Sequence, residues 1–136
     1  MEGASPARLY ATLVGGTLVI AGIIGFFYSA SFGSPGDVDK VFGILAVNAW
    51  HNLVHILTGA IGLLVAGYAA RQYALYLGIV YLVIAAWGFI IGSGDSILGF
   101  IPVNTEDNFL HLILGALGVG AAMATPVEGP RPVAAT

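Results

Sequence analysis

The sequence predicts an all-α fold, a four-helix transmembrane bundle built from two pseudo-repeated helical hairpins. Three observations lead there. The 136 residues are 58% hydrophobic and only 8% charged, with a mean hydropathy of +0.94, far from the usage of water-soluble domains. Four apolar runs approach the ~20 residues that cross ~30 Å of hydrocarbon. A segment of the first half recurs in the second.

Span 1 covers residues 9–28, followed by small Ser29, Ala30 and Ser31. Its run exceeds a signal-peptide core and its one Arg8 is offset by Glu2, so it is read as a retained helix. Span 2 covers 47–68, span 3 covers 73–92, and span 4 runs from 105 to 125, its uncharged part beginning at Phe109. Residues 1–136 thus form a single transmembrane domain, with hairpin repeats 9–68 and 73–125.

Charge and aromatic placement set the expected orientation. Arg8, Arg71 and Arg131 fall on one side, which the positive-inside rule makes cytoplasmic, with both termini there. Asp37, Asp39, Lys40, Asp95, Glu106 and Asp107 fall on the other. Tyr10, Tyr68, Tyr73 and Tyr76 line one interface, and Tyr28, Trp50 and Phe109 the other. The expected location is a bacterial inner membrane, crossed several times, with the lipid bilayer as the principal partner. A net charge of −3 without a basic cluster offers nothing to nucleic acid. The absence of cysteine excludes disulfides and thiolate ligands.

Shifting the chain by 56 residues lays "DKVFGILAVNAWHNLVHILTGAIGLLVA" (39–66) over "DSILGFIPVNTEDNFLHLILGALGVGAA" (95–122), with ten of 28 positions identical. The matches include Asn48 with Asn104, Asn52 with Asn108, His55 with His111, Gly59 with Gly115 and Gly62 with Gly118. Gly15 and Gly25-Phe26 also resemble Gly78 and Gly88-Phe89 at another offset. Spans 2 and 4 run in the same direction, so the halves are expected to be related by a pseudo-twofold axis along the membrane normal.

The repeat also marks helix starts. Pro102 precedes a helix, Asn104 is its N-cap, and Asp107 stands at N3, where a carboxylate meets free N–H groups. By analogy Asn48 caps span 2 and His51 is at N3. At ~100° per residue, Asn48, Asn52, His55, Gly59 and Gly62 share one face, as do their counterparts. Such polar-and-small faces point into protein.

Three readings of this cluster stay open. In the first, Asn48, Asn52, Asn104 and Asn108 hydrogen-bond across helices that approach closely at Gly59, Gly62, Gly115 and Gly118. In the second, His51 and His55, four residues apart on one helix face, bind a divalent metal with His111 and with Asp107 or Glu106. In the third, His55 and His111 are axial ligands of a haem or chlorophyll-type pigment, which requires spans 2 and 4 to be diagonal. Asn52 follows His51, so the catalytic Glu of a His-Glu-x-x-His site is missing, and no other enzymatic motif is present. Tyr81 reads as a core or interface tyrosine. Spans free of Asp and Glu argue against an ion-driven transporter, and four short helices against a pore.

"NAWHNLVHILTGAIGL", "AARQYA" and "GFIPVNTEDNFLHLILGALG" together resemble a bacterial family of small four-span membrane proteins, common in actinobacteria and catalogued as a domain of unknown function. The resemblance covers roughly residues 9–125. It implies a four-helix membrane protein with Asn52, His55, Asn108 and His111 at the family's motif positions, and brings neither activity nor cofactor. The reading preferred at this point is non-enzymatic and free of cofactor: a structural or accessory membrane subunit. Gly15, Gly16, Gly22 and Gly25 of span 1 would either pack inside the bundle or meet a partner in a larger complex or homo-oligomer.

Overall fold

Three of the four helices start where the sequence supplies a side-chain cap, and the third in chain order begins after Ala69, which supplies none. The computed structural model describes residues 4–127; Glu2, which offsets Arg8 ahead of span 1, and Arg131, expected on the cytoplasmic side, lie outside them. Helix α1 (Pro6–Tyr28) has Ser5 as its N-cap and Pro6 in its first turn, where the missing N–H costs nothing. Helix α2 (Ala49–Val65) begins after Asn48. Helix α3 (Ala70–Ile91) ends on Gly92 at φ 92°, and α4 (Thr105–Ala124) starts at the Asn104/Asp107 capping box.

Three of these helices are long and apolar enough to cross a membrane. Helix α2 is shorter than its expected span of 47–68, at 17 residues, or about 26 Å at 1.5 Å per residue. Val47 belongs to a strand, and the chain leaves the helix after Val65 through a turn in which Tyr68 and Ala69 both donate to the Val65 carbonyl.

The two connections read as plain loops in the sequence each contain a small antiparallel ribbon. β1 (Asp39–Val41) pairs with β2 (Leu45–Val47), and β3 (Ser96–Ile97) pairs with β4 (Ile101–Pro102). Both turns have two successive residues at positive φ, Phe42 (52°) and Gly43 (73°) in one, Leu98 (54°) and Gly99 (79°) in the other. Primed hairpin turns require this geometry because it matches strand twist, and Asn or Asp usually takes the first position. Phe and Leu there cost about 1–2 kcal/mol each.

Helices α1 with α2, and α3 with α4, form tight antiparallel hairpins, and α1 meets α3 and α4 between them. No comparable seam joins α2 to α4, so these two lie on the long diagonal. Glycines explain the tight pairs. A Cβ at Gly15 would meet the Gly59 carbonyl at 2.9 Å, and one at Gly78 would meet the Gly115 carbonyl at the same distance. Gly15, Gly22 and Gly25 of α1 all face α2, whereas Gly16 has open space around it.

The halves are joined by reciprocal contacts. Away from the ribbons, Tyr10 of α1 donates to the Leu114 carbonyl of α4 (2.9 Å), and Tyr73 of α3 donates to the Thr58 carbonyl of α2 (3.0 Å). Thr58 and Leu114 are 56 residues apart and Tyr10 and Tyr73 are 63 apart, so each bond is the pseudo-symmetry mate of the other. The rings meet with centroids at 6.5 Å. Replacing either tyrosine by phenylalanine should cost about 1 kcal/mol, the net worth of one hydrogen bond, read as equal losses of unfolding free energy for Tyr10→Phe and Tyr73→Phe in micelles. Markedly unequal losses would show that the two bonds are not equivalent.

A buried three-histidine cluster beneath crossed ribbons

The N-caps of α2 and α4 have a second task. Asn48 Oδ1 accepts from His51 N (2.9 Å), while its amide donates to the Phe100 carbonyl in the opposite ribbon (2.6 Å) and to the Pro35 carbonyl. Asn104 Oδ1 accepts from Asp107 N (2.9 Å), and its amide donates to the Ile44 carbonyl (2.5 Å). Ile44 and Phe100 are again 56 residues apart. Each ribbon therefore lies across the end of the bundle with its turn over the other half's helix start.

Asn52 and Asn108 sit one turn deeper, both buried. Asn52 Nδ2 donates to the Ser29 carbonyl (2.9 Å). Neither Oδ1 has a conventional donor, but a Cβ at Gly25 would fall on Asn52 Oδ1 and one at Gly88 on Asn108 Oδ1. The Cα–H that such a side chain would replace therefore points at the amide oxygen, a weak hydrogen bond. The four asparagines thus have a structural explanation, two as caps and clasps and two seated against glycine.

Asp107, expected beside the histidines, is committed elsewhere. Its Oδ2 accepts from Asn104 N (3.1 Å) in its own half and from Ala46 N (3.0 Å) in the other. The pseudo-equivalent of Ala46 is Pro102, which has no N–H, and the pseudo-equivalent of Asp107 is His51, whose side chain lies beside the backbones of Ala46 and Pro102. A carboxylate stands where there is an amide to receive, and an imidazole where there is none. Glu106 is exposed.

What remains is His51, His55 and His111. His51 and His55 of α2 have ring centroids 4.4 Å apart, and His111 of α4 lies 6.1 Å from His51 and 6.5 Å from His55. One ring nitrogen from each lies within 4.8 Å of the other two. His51 is 2% exposed and His111 5% exposed, and His55 is partly buried. Nδ1 of His51 and of His111 is buried without a hydrogen-bond partner. Buried polar atoms are nearly always paired, so two without a partner on residues of one cluster call for a ligand or a reason. The Tyr81 ring stacks on His111 at 4.9 Å and 12°; this contact was not anticipated, because nothing in a lone tyrosine at mid-span marks its neighbour. Tyr81 replaces the Leu18 of the first half.

The diagonal placement of α2 and α4 meets one condition for a macrocycle between His55 and His111. The His51 ring lies near both, with centroids 4.4 Å from His55 and 6.1 Å from His111.

The family model that matches residues 8–124 is described as a domain of unknown function (DUF4383). No curated protein and no solved structure matches the chain.

Proposed function

The chain belongs to the DUF4383 family, a domain of unknown function, and we propose that it is a multi-pass membrane protein that binds one first-row transition-metal ion through His51, His55 and His111. The observation that carries this reading is the convergence of three imidazoles, one nitrogen from each within 4.8 Å of the others, with two Nδ1 atoms left unpaired. Three histidines with an open fourth position are a known donor set for zinc, and imidazole suits copper, iron and nickel as well. Calcium and magnesium want oxygen ligands, which the cluster lacks. An ion at ~2.0–2.1 Å from each nitrogen needs them about 3.3 Å apart, so binding requires the imidazoles to draw together from their present separations.

The hydrogen-bond network expected of the polar cluster is carried by Asn48, Asn52, Asn104 and Asp107, and supports a structural role for these residues. His55 and His111 take no part in it, whereas the His51 side chain lies against the backbones of Ala46 and Pro102. Arg8 and Arg71, at the starts of α1 and α3, sit at the end opposite the ribbons, which supports a cytoplasmic arginine end and a metal site near the other leaflet. His51 and His55 come from one half and His111 from the other, so a bound ion ties together two helices that share no seam.

The test is elemental analysis and X-ray absorption on detergent-purified protein after dialysis against Zn(II), Co(II) or Cu(II) in a non-coordinating buffer. The expected result is about one tightly held ion per chain with a nitrogen-rich first shell. Sub-stoichiometric metal, or a shell of oxygen alone, would overturn the reading.

A further inference from the structure

We propose that the two ribbon turns are lipid anchors, with Phe42 and Leu98 inserted into the interfacial layer of the leaflet at their end of the bundle. The two positions are pseudo-equivalent, 56 residues apart, and both are apolar. Phe42 is 72% exposed and Leu98 63% exposed. Both occupy the left-handed backbone region, at φ 52° and 54°, where Asn, Asp or Gly would sit without strain. A turn that faced water would gain from a polar residue at each place. Two large apolar side chains held there in both halves indicate a surrounding that rewards apolar area.

Placement within the fold identifies that surrounding as lipid. The Asn48 and Asn104 clasps hold the ribbons across the end of the bundle, with both turns at the level of the helix starts. Phe42 packs edge-on against Tyr28, centroids 5.9 Å apart, at the end of α1, where an aromatic ring matches headgroup depth. Phe27 beside it is 86% exposed and Phe109, near the start of α4, 54% exposed, so the apolar surface of the helices continues up to the turns. The charges of this region, Asp37, Asp39 and Lys40, precede the turn rather than occupy it.

The absence of cysteine allows a direct test. Phe42→Cys and Leu98→Cys, with Asp37→Cys in the exposed loop as reference, are each labelled with a nitroxide in the full-length protein. They are then reconstituted in phosphatidylcholine vesicles, with helical circular dichroism confirming the fold. Collision with dissolved oxygen relative to a water-soluble nickel chelate is expected to be at least about threefold higher at both turns than at Asp37→Cys, as for groups 5–10 Å inside the interface. A ratio at either turn within threefold of Asp37→Cys overturns the proposal. Low access to both reagents with spin coupling between copies also overturns it, in favour of a contact between chains. No metal is needed, so this result and that for the histidine cluster are independent.

Discussion

His111→Ala is expected to lower metal affinity by more than about a hundredfold, beyond the 10–100-fold that loss of an outer-shell partner brings. In the proposed site His111 would be the one ligand from α4, so without it the remaining pair, His51 and His55, would lie on a single helix. His51→Ala and His55→Ala should give losses of the same order, measured by competition with a chromophoric chelator in micelles. Asp107→Asn is the informative contrast. Its Oδ2 is engaged by Asn104 N and Ala46 N, so the variant should lose stability while keeping affinity within about tenfold. If Asp107→Asn weakened binding as much as His111→Ala, the carboxylate would have to be counted among the ligands, and if His111→Ala left affinity unchanged, the three-histidine site would fall.

The second large effect is on stability. Gly88→Ala and Gly25→Ala should each cost about 3 kcal/mol, the upper part of the usual range for overpacking, because the added methyl lands on the amide oxygen of Asn108 or Asn52. Neither amide can yield easily, being buried between helix backbones. Gly16→Ala, one turn and a half from Gly22 on the same helix, meets nothing within 4 Å and should be neutral or gain up to about 1 kcal/mol from helix propensity. Adding Asn108→Ala to Gly88→Ala should recover part of the loss, a coupling of about 1–3 kcal/mol for residues in contact. Additive losses in that double variant would mean that the clash is relieved elsewhere and the seat for Asn108 is not tight.

The helices, the repeat at offset 56 and both N-caps were legible because they depend on local chemistry: apolar runs, Asn before a helix, Asp at N3. The ribbons were not. Strands of two and three residues have no alternation to detect, and "FG" and "LG" lack the Asn or Asp that usually announces a hairpin turn. A signal was present in the first and third helices, where "ARLYA" (7–11) and "ARQYA" (70–74) stand 63 residues apart. The glycine matches, Gly15 with Gly78 and Gly25-Phe26 with Gly88-Phe89, do not by themselves point to the Tyr10 and Tyr73 clasp. The seven-residue difference between the two offsets is the surplus of residues 29–38 over 92–94, which disguised one repeat as two. At the site, the shared environment of the histidines followed from the repeat, but their separation from Asp107 did not, since it depends on which backbone N–H groups the opposite ribbon offers.

A faithful duplication furnishes donors only in twos. Had both halves kept aspartate at the N3 position, a second carboxylate would face Pro102, which has no proton to give it; had both kept histidine, the amide of Ala46 would go unanswered. The exchange of one member of that pair leaves the central space with an odd count of imidazoles, three in all. It is this departure from parity, and not the symmetry itself, that brings three imidazoles together, the number that under the proposed reading would leave a fourth position of a tetrahedron open.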